Sequence, residues 1–99
     1  CADWFNRGNP VCRGGLQQTR SSLENLRAPV MDSISAVASG NPAIAVWDSL
    51  PLLCPEATCS ALQGQRPLFF DGDHLSAYGN ARLYPAFRST VTALMTTGR

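Results

Sequence analysis

Only two short apolar runs in this 99-residue chain are suited to β-strands, and this scarcity limits what the chain can fold into. The first, residues 43–47, follows a helix stop, and its length and its Ile and Val content favour a buried strand. The second, residues 67–70, leads directly into Asp71. One strand and a partial second strand cannot form a stable open sheet. We therefore expect the chain to be the C-terminal part of a larger domain, or to pair with another chain.

Helical periodicity organises the chain on either side of these runs. From residue 16 to 39 apolar side chains recur at steps of three and four, which predicts a helix. Pro29 predicts a kink or a break in this helix, and Gly40 with the residues after it predicts its end. A second helical series predicts a helix after Ser76, a suitable N-cap residue, with an early bend at Pro85. A helix followed by a buried strand favours an α/β fold with a parallel sheet.

Length and charge narrow the class of protein. Ninety-nine residues suffice for one small domain. Within it we expect residues 1–15 to form a loop and residues 16–97 to form a helix-strand-loop-helix part that contains Asp71 and His74. The net charge is +1 and all eight basic residues are scattered arginines, so no nucleic acid partner and no anionic membrane surface is expected. No apolar stretch approaches the length of a membrane span, and no signal peptide is visible.

The cysteines predict disulfides and an oxidising compartment. Cys54 and Cys59 enclose a short loop that contains a proline, which suits a local disulfide, and Cys1 and Cys12 would then pair by exclusion. A zinc site is the alternative, but His74 is the only histidine and no C-x-x-C spacing occurs. The even number of cysteines without metal spacing favours an extracytoplasmic location. No metal and no other cofactor is expected.

Asp71 and His74 lie three residues apart between an apolar run and a helix start. A catalytic dyad needs a carboxylate that accepts a hydrogen bond from one imidazole nitrogen while the other nitrogen faces a nucleophile. A turn of this length can place both side chains on one side, and open α/β sheets bind ligands at the carboxyl ends of their strands. The alternative is that Asp71 and Asp73 are turn formers and that His74 is a surface or half-buried residue.

The flanks of this pair resemble a known family. The run FFDGDHLSAYGNA at residues 69–81 resembles the last conserved block of the SGNH hydrolases. It resembles in particular the SGNH domains fused to multi-spanning membrane acyltransferases that O-acylate bacterial surface glycans. Residues 46–48 and the cysteine loop at residues 53–59 resemble the same subgroup, and the resemblance runs from about residue 20 to residue 95. One departure is Asn80, which is inserted or substituted after the glycine of the block.

The resemblance implies a fold and a site. The fold would be the C-terminal portion of a three-layer α/β/α, flavodoxin-like domain with a parallel sheet, incomplete in this chain. The site would be a Ser-Asp-His triad in which Asp71 orients the imidazole and His74 is the general base. The Gly-Asp-Ser and Gly-x-Asn-Asp blocks of the family, which supply the nucleophile and the oxyanion hole, do not occur here and are expected to precede Cys1. Asp73 is then a turn residue, and Ser76 a helix cap and not the nucleophile.

The leading functional hypothesis is an acyl-transfer domain fragment. It would act on O-acyl groups, expected to be acetyl, of an extracytoplasmic glycan as an O-acetyltransferase or esterase. Its expected partners are the missing N-terminal part of the domain, an acyl donor, a glycan acceptor and a membrane acyltransferase domain that tethers it. The first alternative is a non-catalytic glycan- or partner-binding module without the nucleophile. The second is a small disulfide-stapled secreted domain that folds alone.

Overall fold

Two long helices and four short strands make up most of the regular structure of the described residues. The computed structural model describes residues 8–10, 15–71 and 74–98. In chain order the elements are β1 (Gln17–Thr19), α1 (Arg20–Ser39), α2 (Leu50–Leu53), β2 (Thr58–Ser60), β3 (Leu62–Gln63), β4 (Arg66–Pro67) and α3 (Ala77–Thr96). This mixture of helices and small sheets is compatible with an α/β fold. None of the described helices has the length and apolarity that crossing a membrane requires.

The helix that the apolar periodicity predicts over residues 16–39 is confirmed over most of its length by α1. Thr19 caps it, because the Thr19 hydroxyl accepts a hydrogen bond from the backbone N–H of Ser22 at 3.2 Å. The helix ends at Gly40, as predicted, and it continues through Pro29 without a break. A proline removes one main-chain donor, and this twenty-residue helix extends on both sides of it. The predicted start is wrong, because residues 17–19 pair with β2 instead.

The cysteine loop folds as the sequence predicts. Cys54 and Cys59 form a disulfide with their Cα atoms 4.9 Å apart. The strand β2 that begins at this loop pairs antiparallel with β1, and β3 pairs antiparallel with β4. Gly64 has a φ of +62° in the tight turn between β3 and β4, a conformation that glycine adopts at no steric cost. The predicted pair of Cys1 and Cys12 lies outside the described residues.

The predicted strand at residues 43–47 is wrong. These residues form no strand, and Ile44 and Val46 are 40% and 45% exposed. Every strand of the described ranges belongs to one of two antiparallel two-stranded sheets, so none is placed to hydrogen-bond with this segment. Trp47 packs edge-on against Phe87 of α3, with ring centroids 5.3 Å apart. The parallel three-layer arrangement is accordingly not seen among the described residues.

The core of the described part is small. Its buried apolar side chains are Cys54, Cys59, Leu68 and Leu83. The accessible surface is 7464 Å², whereas a folded monomer of this mass exposes about 5,500 Å². The excess includes apolar side chains that helices ordinarily bury. On α1 and α3 these are Leu26, Val30, Ile34, Val37, Tyr84, Phe87, Val91 and Met95.

We predict that residues 1–99 on their own do not unfold cooperatively. The apolar stripe of α1 contributes little to stability while it faces water, and the four buried side chains cannot offset the entropy of ordering the chain. The measurement is a thermal melt of the isolated segment followed by circular dichroism. A sharp, reversible transition would show that the segment is an independent domain.

The main chain at Gly79 lies too close to Leu68 to accommodate a side chain. A Cβ at Gly79, in the first turn of α3, would overlap the carbonyl oxygen of Leu68 and lie 3.1 Å from Leu75 Cδ2. Gly79→Ala in the complete protein should lower the free energy of unfolding by about 1–3 kcal/mol, because backbone must move. The matched control is Gly40→Ala, whose Cβ would meet Val37 and Ala36 carbonyl oxygens at 3.7 and 3.8 Å. Chemical denaturation that gave equal, small losses for both variants would contradict the close approach at Gly79.

Candidate active site

The loop that carries the predicted dyad is closed at its base by backbone hydrogen bonds. The N–H of Ser76 donates to the carbonyl of Leu68 at 2.9 Å, and the N–H of Phe70 donates to the carbonyl of His74 at 3.0 Å. Between them Phe69 and Leu75 lie opposite each other as an antiparallel bridge. The two arms of the loop therefore behave as a short ribbon, and Asp71 and His74 lie at its tip.

The structure brings Asp71 and His74 together. Asp71 Oδ2 lies 2.7 Å from His74 Nδ1, and Asp71 Oδ1 accepts a hydrogen bond from the backbone N–H of His74, also at 2.7 Å. An ionised carboxylate can only accept hydrogen bonds, so in the neutral imidazole Nδ1 carries the proton and Nε2 holds a lone pair. This is the geometry that a carboxylate-oriented base requires. The catalytic roles of the two residues remain predictions.

The imidazole is accessible from outside the loop. The His74 side chain is 65% exposed and that of Asp71 is 40% exposed. The ring of Phe70 stacks on the imidazole with centroids 5.5 Å apart and planes 21° from parallel. The stacking restricts rotation of the imidazole, and the exposure leaves room for reacting groups to approach it. Asp73, the predicted turn residue, lies outside the described residues.

Ser76 is the N-cap of α3, as the sequence predicts. Its hydroxyl accepts a hydrogen bond from the N–H of Gly79 at 2.9 Å and donates one to the carbonyl of Pro67 at 2.6 Å. Both hydrogen-bonding functions of the hydroxyl are thus engaged with the main chain. This arrangement agrees with the prediction that Ser76 is not a nucleophile.

Sequence reasoning missed the contacts that hold the β3–β4 hairpin beside this loop. The Tyr78 hydroxyl donates to Gln63 Oε1 at 2.7 Å, and the Arg66 guanidinium lies 4.2 Å from the centre of the Tyr78 ring. Both contacts join the hairpin to the first turn of α3. Fifteen residues separate Gln63 from Tyr78, and no periodicity relates them. No signal in the sequence alone would have paired them.

Asp48 has a structural role in the described part of the chain. Its carboxylate pairs with the Arg27 guanidinium at 2.7 Å and accepts a hydrogen bond from the N–H of Leu50 at 2.9 Å. Partial burial alone would raise the pKa of Asp48, but the Leu50 N–H and the Arg27 guanidinium outweigh it and hold the pKa below its usual value. The pair fastens the segment before α2 to α1.

No metal site accompanies the dyad within residues 8–10, 15–71 and 74–98. No group of three or more His, Cys, Asp or Glu side chains in these ranges comes close enough to hold an ion. A pocket of about 190 Å³ lies beside the disulfide, where Leu53, Leu62, Leu68 and Arg82 contribute to its lining. Neither Asp71 nor His74 lines this pocket, so it is separate from the candidate active site.

Comparison with known proteins identifies the class. The family model of the SGNH domain, described as fused to AT3 domains, matches residues 6–89. This match covers most of the chain, and the chain therefore belongs to the SGNH domain family, of the type fused to acyltransferase domains. No curated protein and no solved structure matches the chain.

The Arg27–Asp48 pair predicts an acid-sensitive part of the stability. The pKa of Asp48 is lower in the folded state than in the unfolded state. Its contribution to the free energy of unfolding is therefore present above the unfolded-state pKa and is lost as the pH falls through the folded-state pKa. Between about pH 5 and pH 3 the complete protein should lose more stability than its Asp48→Asn variant does. Urea denaturation at pH 7, 5 and 3 measures this difference, and Asp32→Asn on α1 controls for the change of net charge. Parallel losses for the wild type and Asp48→Asn would contradict the assignment.

Proposed function

We propose that the domain transfers an acyl group by way of a serine ester, with His74 as the general base and Asp71 as the residue that orients it. One observation carries this proposal, the 2.7 Å contact between Asp71 Oδ2 and His74 Nδ1 on an exposed loop. The family adds support, since it joins an SGNH domain to acyltransferase domains.

The chemistry follows from the tautomer. With the proton on Nδ1 held by Asp71, Nε2 accepts the proton of a serine hydroxyl as the serine oxygen attacks the acyl carbonyl. The imidazolium that forms is stabilised by the Asp71 carboxylate, and Nε2–H then protonates the departing alcohol oxygen. In the second half, Nε2 takes a proton from the acceptor hydroxyl, the acceptor oxygen attacks the acyl-serine, and the proton returns to the serine.

The nucleophile and the oxyanion hole are proposed to come from another segment of the protein. The 99 residues contain no Gly-Asp-Ser block and no Gly-x-Asn-Asp block. Ser76, the serine nearest to His74 in the sequence, has its hydroxyl engaged by Pro67 and Gly79. The apolar faces that α1 and α3 leave exposed would be covered by the same segment, in the parallel three-layer fold of the family.

The proposed substrate is an O-acyl group, acetyl in particular, of an extracytoplasmic glycan. The Cys54–Cys59 disulfide fits an oxidising compartment, periplasm or cell surface, and the fused acyltransferase domain would tether the domain to the membrane. A sugar hydroxyl as the acceptor gives a transferase, and water gives an esterase. A site that excludes water favours transfer.

Substitution of the dyad tests this proposal. In the complete protein, release of p-nitrophenol from p-nitrophenyl acetate reports the acylation step, which a transferase and an esterase share. His74→Ala should lower this rate on the order of 10³–10⁴-fold, because no group then accepts the serine proton. Asp71→Asn should also lower it strongly, because an amide no longer favours the Nδ1–H tautomer.

The matched control for Asp71→Asn is Asp32→Asn, which removes an exposed carboxylate from α1 and should leave the rate unchanged. A His74→Ala variant that is folded and still releases p-nitrophenol at the wild-type rate would overturn the proposed base. A wild-type protein that binds glycan but forms no acyl-serine would instead support the non-catalytic binding module.

A further inference from the structure

We propose that Ser76 is a positioning residue for the dyad, and that it controls the rate of acyl transfer without contact with the substrate. The inference rests on the proposed function of Asp71 and His74. The observation that carries it is the position of the Ser76 hydroxyl, which joins the two ends of the loop that holds them.

The hydroxyl makes two hydrogen bonds in opposite directions. It donates to the carbonyl of Pro67, the last residue of β4, at 2.6 Å, and it accepts from the N–H of Gly79 in the first turn of α3 at 2.9 Å. The backbone N–H of Ser76 adds a third bond, to the carbonyl of Leu68 at 2.9 Å. Ser76 therefore ties the strand that enters the loop to the helix that leaves it.

The neighbouring backbone shows that this junction is tight. No Cβ fits at Gly79, because it would overlap the carbonyl oxygen of Leu68. Asn80 donates from Nδ2 to the carbonyl of Ser76 at 3.2 Å, so the main chain of Ser76 is held as well. With the side chain and the main chain both engaged, the direction in which the chain runs back to His74 is determined.

A displacement at Ser76 passes directly to the base. The next backbone bond along the ribbon is that from the Phe70 N–H to the His74 carbonyl, at 3.0 Å. Loss of the Ser76 hydroxyl frees the carbonyl of Pro67 and leaves the base of the loop joined at Ser76 only by the backbone bond to Leu68, so the loop can shift relative to α3. A misplacement of about 1 Å in a reacting group costs on the order of 10²-fold in rate. The loss of rate should appear in kcat, with KM nearly constant, because the Ser76 hydroxyl is engaged by Pro67 and Gly79 and is not proposed to contact the substrate.

The competing explanation is that Ser76 only stabilises α3 as an ordinary N-cap. Thr19 supplies the matched comparison, because it caps α1 by accepting a hydrogen bond from the Ser22 N–H at 3.2 Å. Helices α1 and α3 have the same length, twenty residues each. Glycine is a nearly equivalent N-cap residue, whereas it has no hydroxyl to donate. Ser76→Gly therefore removes the tie to Pro67 while it preserves the helix start.

The experiment compares Ser76→Gly, Ser76→Ala, Ser76→Thr and Thr19→Gly in the complete protein. The readouts are kcat and KM for p-nitrophenyl acetate, taken per folded molecule from a denaturation curve of each variant. Ser76→Gly and Ser76→Ala should lose about 10–100-fold in kcat, with KM changed less than about twofold. Thr19→Gly should retain the wild-type kcat, and Ser76→Thr, which keeps the hydroxyl, should recover most of it.

Several outcomes would overturn the positioning role. One is a Ser76→Gly variant whose activity falls only in proportion to its unfolded fraction, as in Thr19→Gly. Another is a Ser76→Thr variant as slow as Ser76→Ala. If His74→Ala kept full activity, the proposed function itself would fail. If His74→Ala were inactive while Ser76→Gly had wild-type kcat, the inference about Ser76 alone would fail.

Discussion

The hydrogen bonds that close the loop between Leu68 and Ser76 are the constraint on which the candidate site depends. Without them, Asp71 and His74 would be two polar residues on a flexible surface turn, where an exposed ion pair contributes little to stability. With the Leu68–Ser76 and Phe70–His74 bonds in place, the carboxylate and the imidazole meet at 2.7 Å. The loop thus converts a local spacing in the sequence into a contact that favours one tautomer of His74, the tautomer that the proposed chemistry requires.

A second set of contacts holds the elements around this loop. Arg20 donates from Nη1 to the carbonyl of Cys54 at 3.0 Å and from its backbone to the carbonyl of Ala57 at 2.8 Å, which joins α1 to the disulfide loop. The Arg27–Asp48 pair fastens the segment before α2 to the same helix. These contacts are polar and local. They position short segments relative to α1, whereas the exposed apolar faces of α1 and α3 still require a covering partner.

Features that depend on neighbouring residues were predictable from the sequence. The Ser76 cap, the end of α1 at Gly40 and the Cys54–Cys59 disulfide each involve residues within six positions of one another, and all three are confirmed. The contact between Asp71 and His74 is also a local feature, since the two residues are three positions apart. Their motif and its flanks also identified the SGNH family, which the match over residues 6–89 confirms.

Features that depend on distant partners were not predictable in the same way. Residues 43–47 have the composition of a buried strand, but a strand needs a neighbour, and none lies beside them among the described residues. Residues 17–19 were included in the predicted helix, yet they pair with β2, a strand about forty residues further along the chain. The contact between Tyr78 and Gln63 depends on where the hairpin folds back, which no local pattern specifies.

We propose that Asp71 holds His74 as the Nδ1–H tautomer and so leaves Nε2 as a base. The most direct measurement is the ¹⁵N NMR spectrum of the His74 imidazole in the complete protein near neutral pH, compared with Asp71→Asn. We expect a protonated Nδ1 and an unprotonated Nε2 in the wild type, and loss of that preference in the variant. A wild-type imidazole that is protonated at Nε2, or that averages between both tautomers as the variant does, would contradict it.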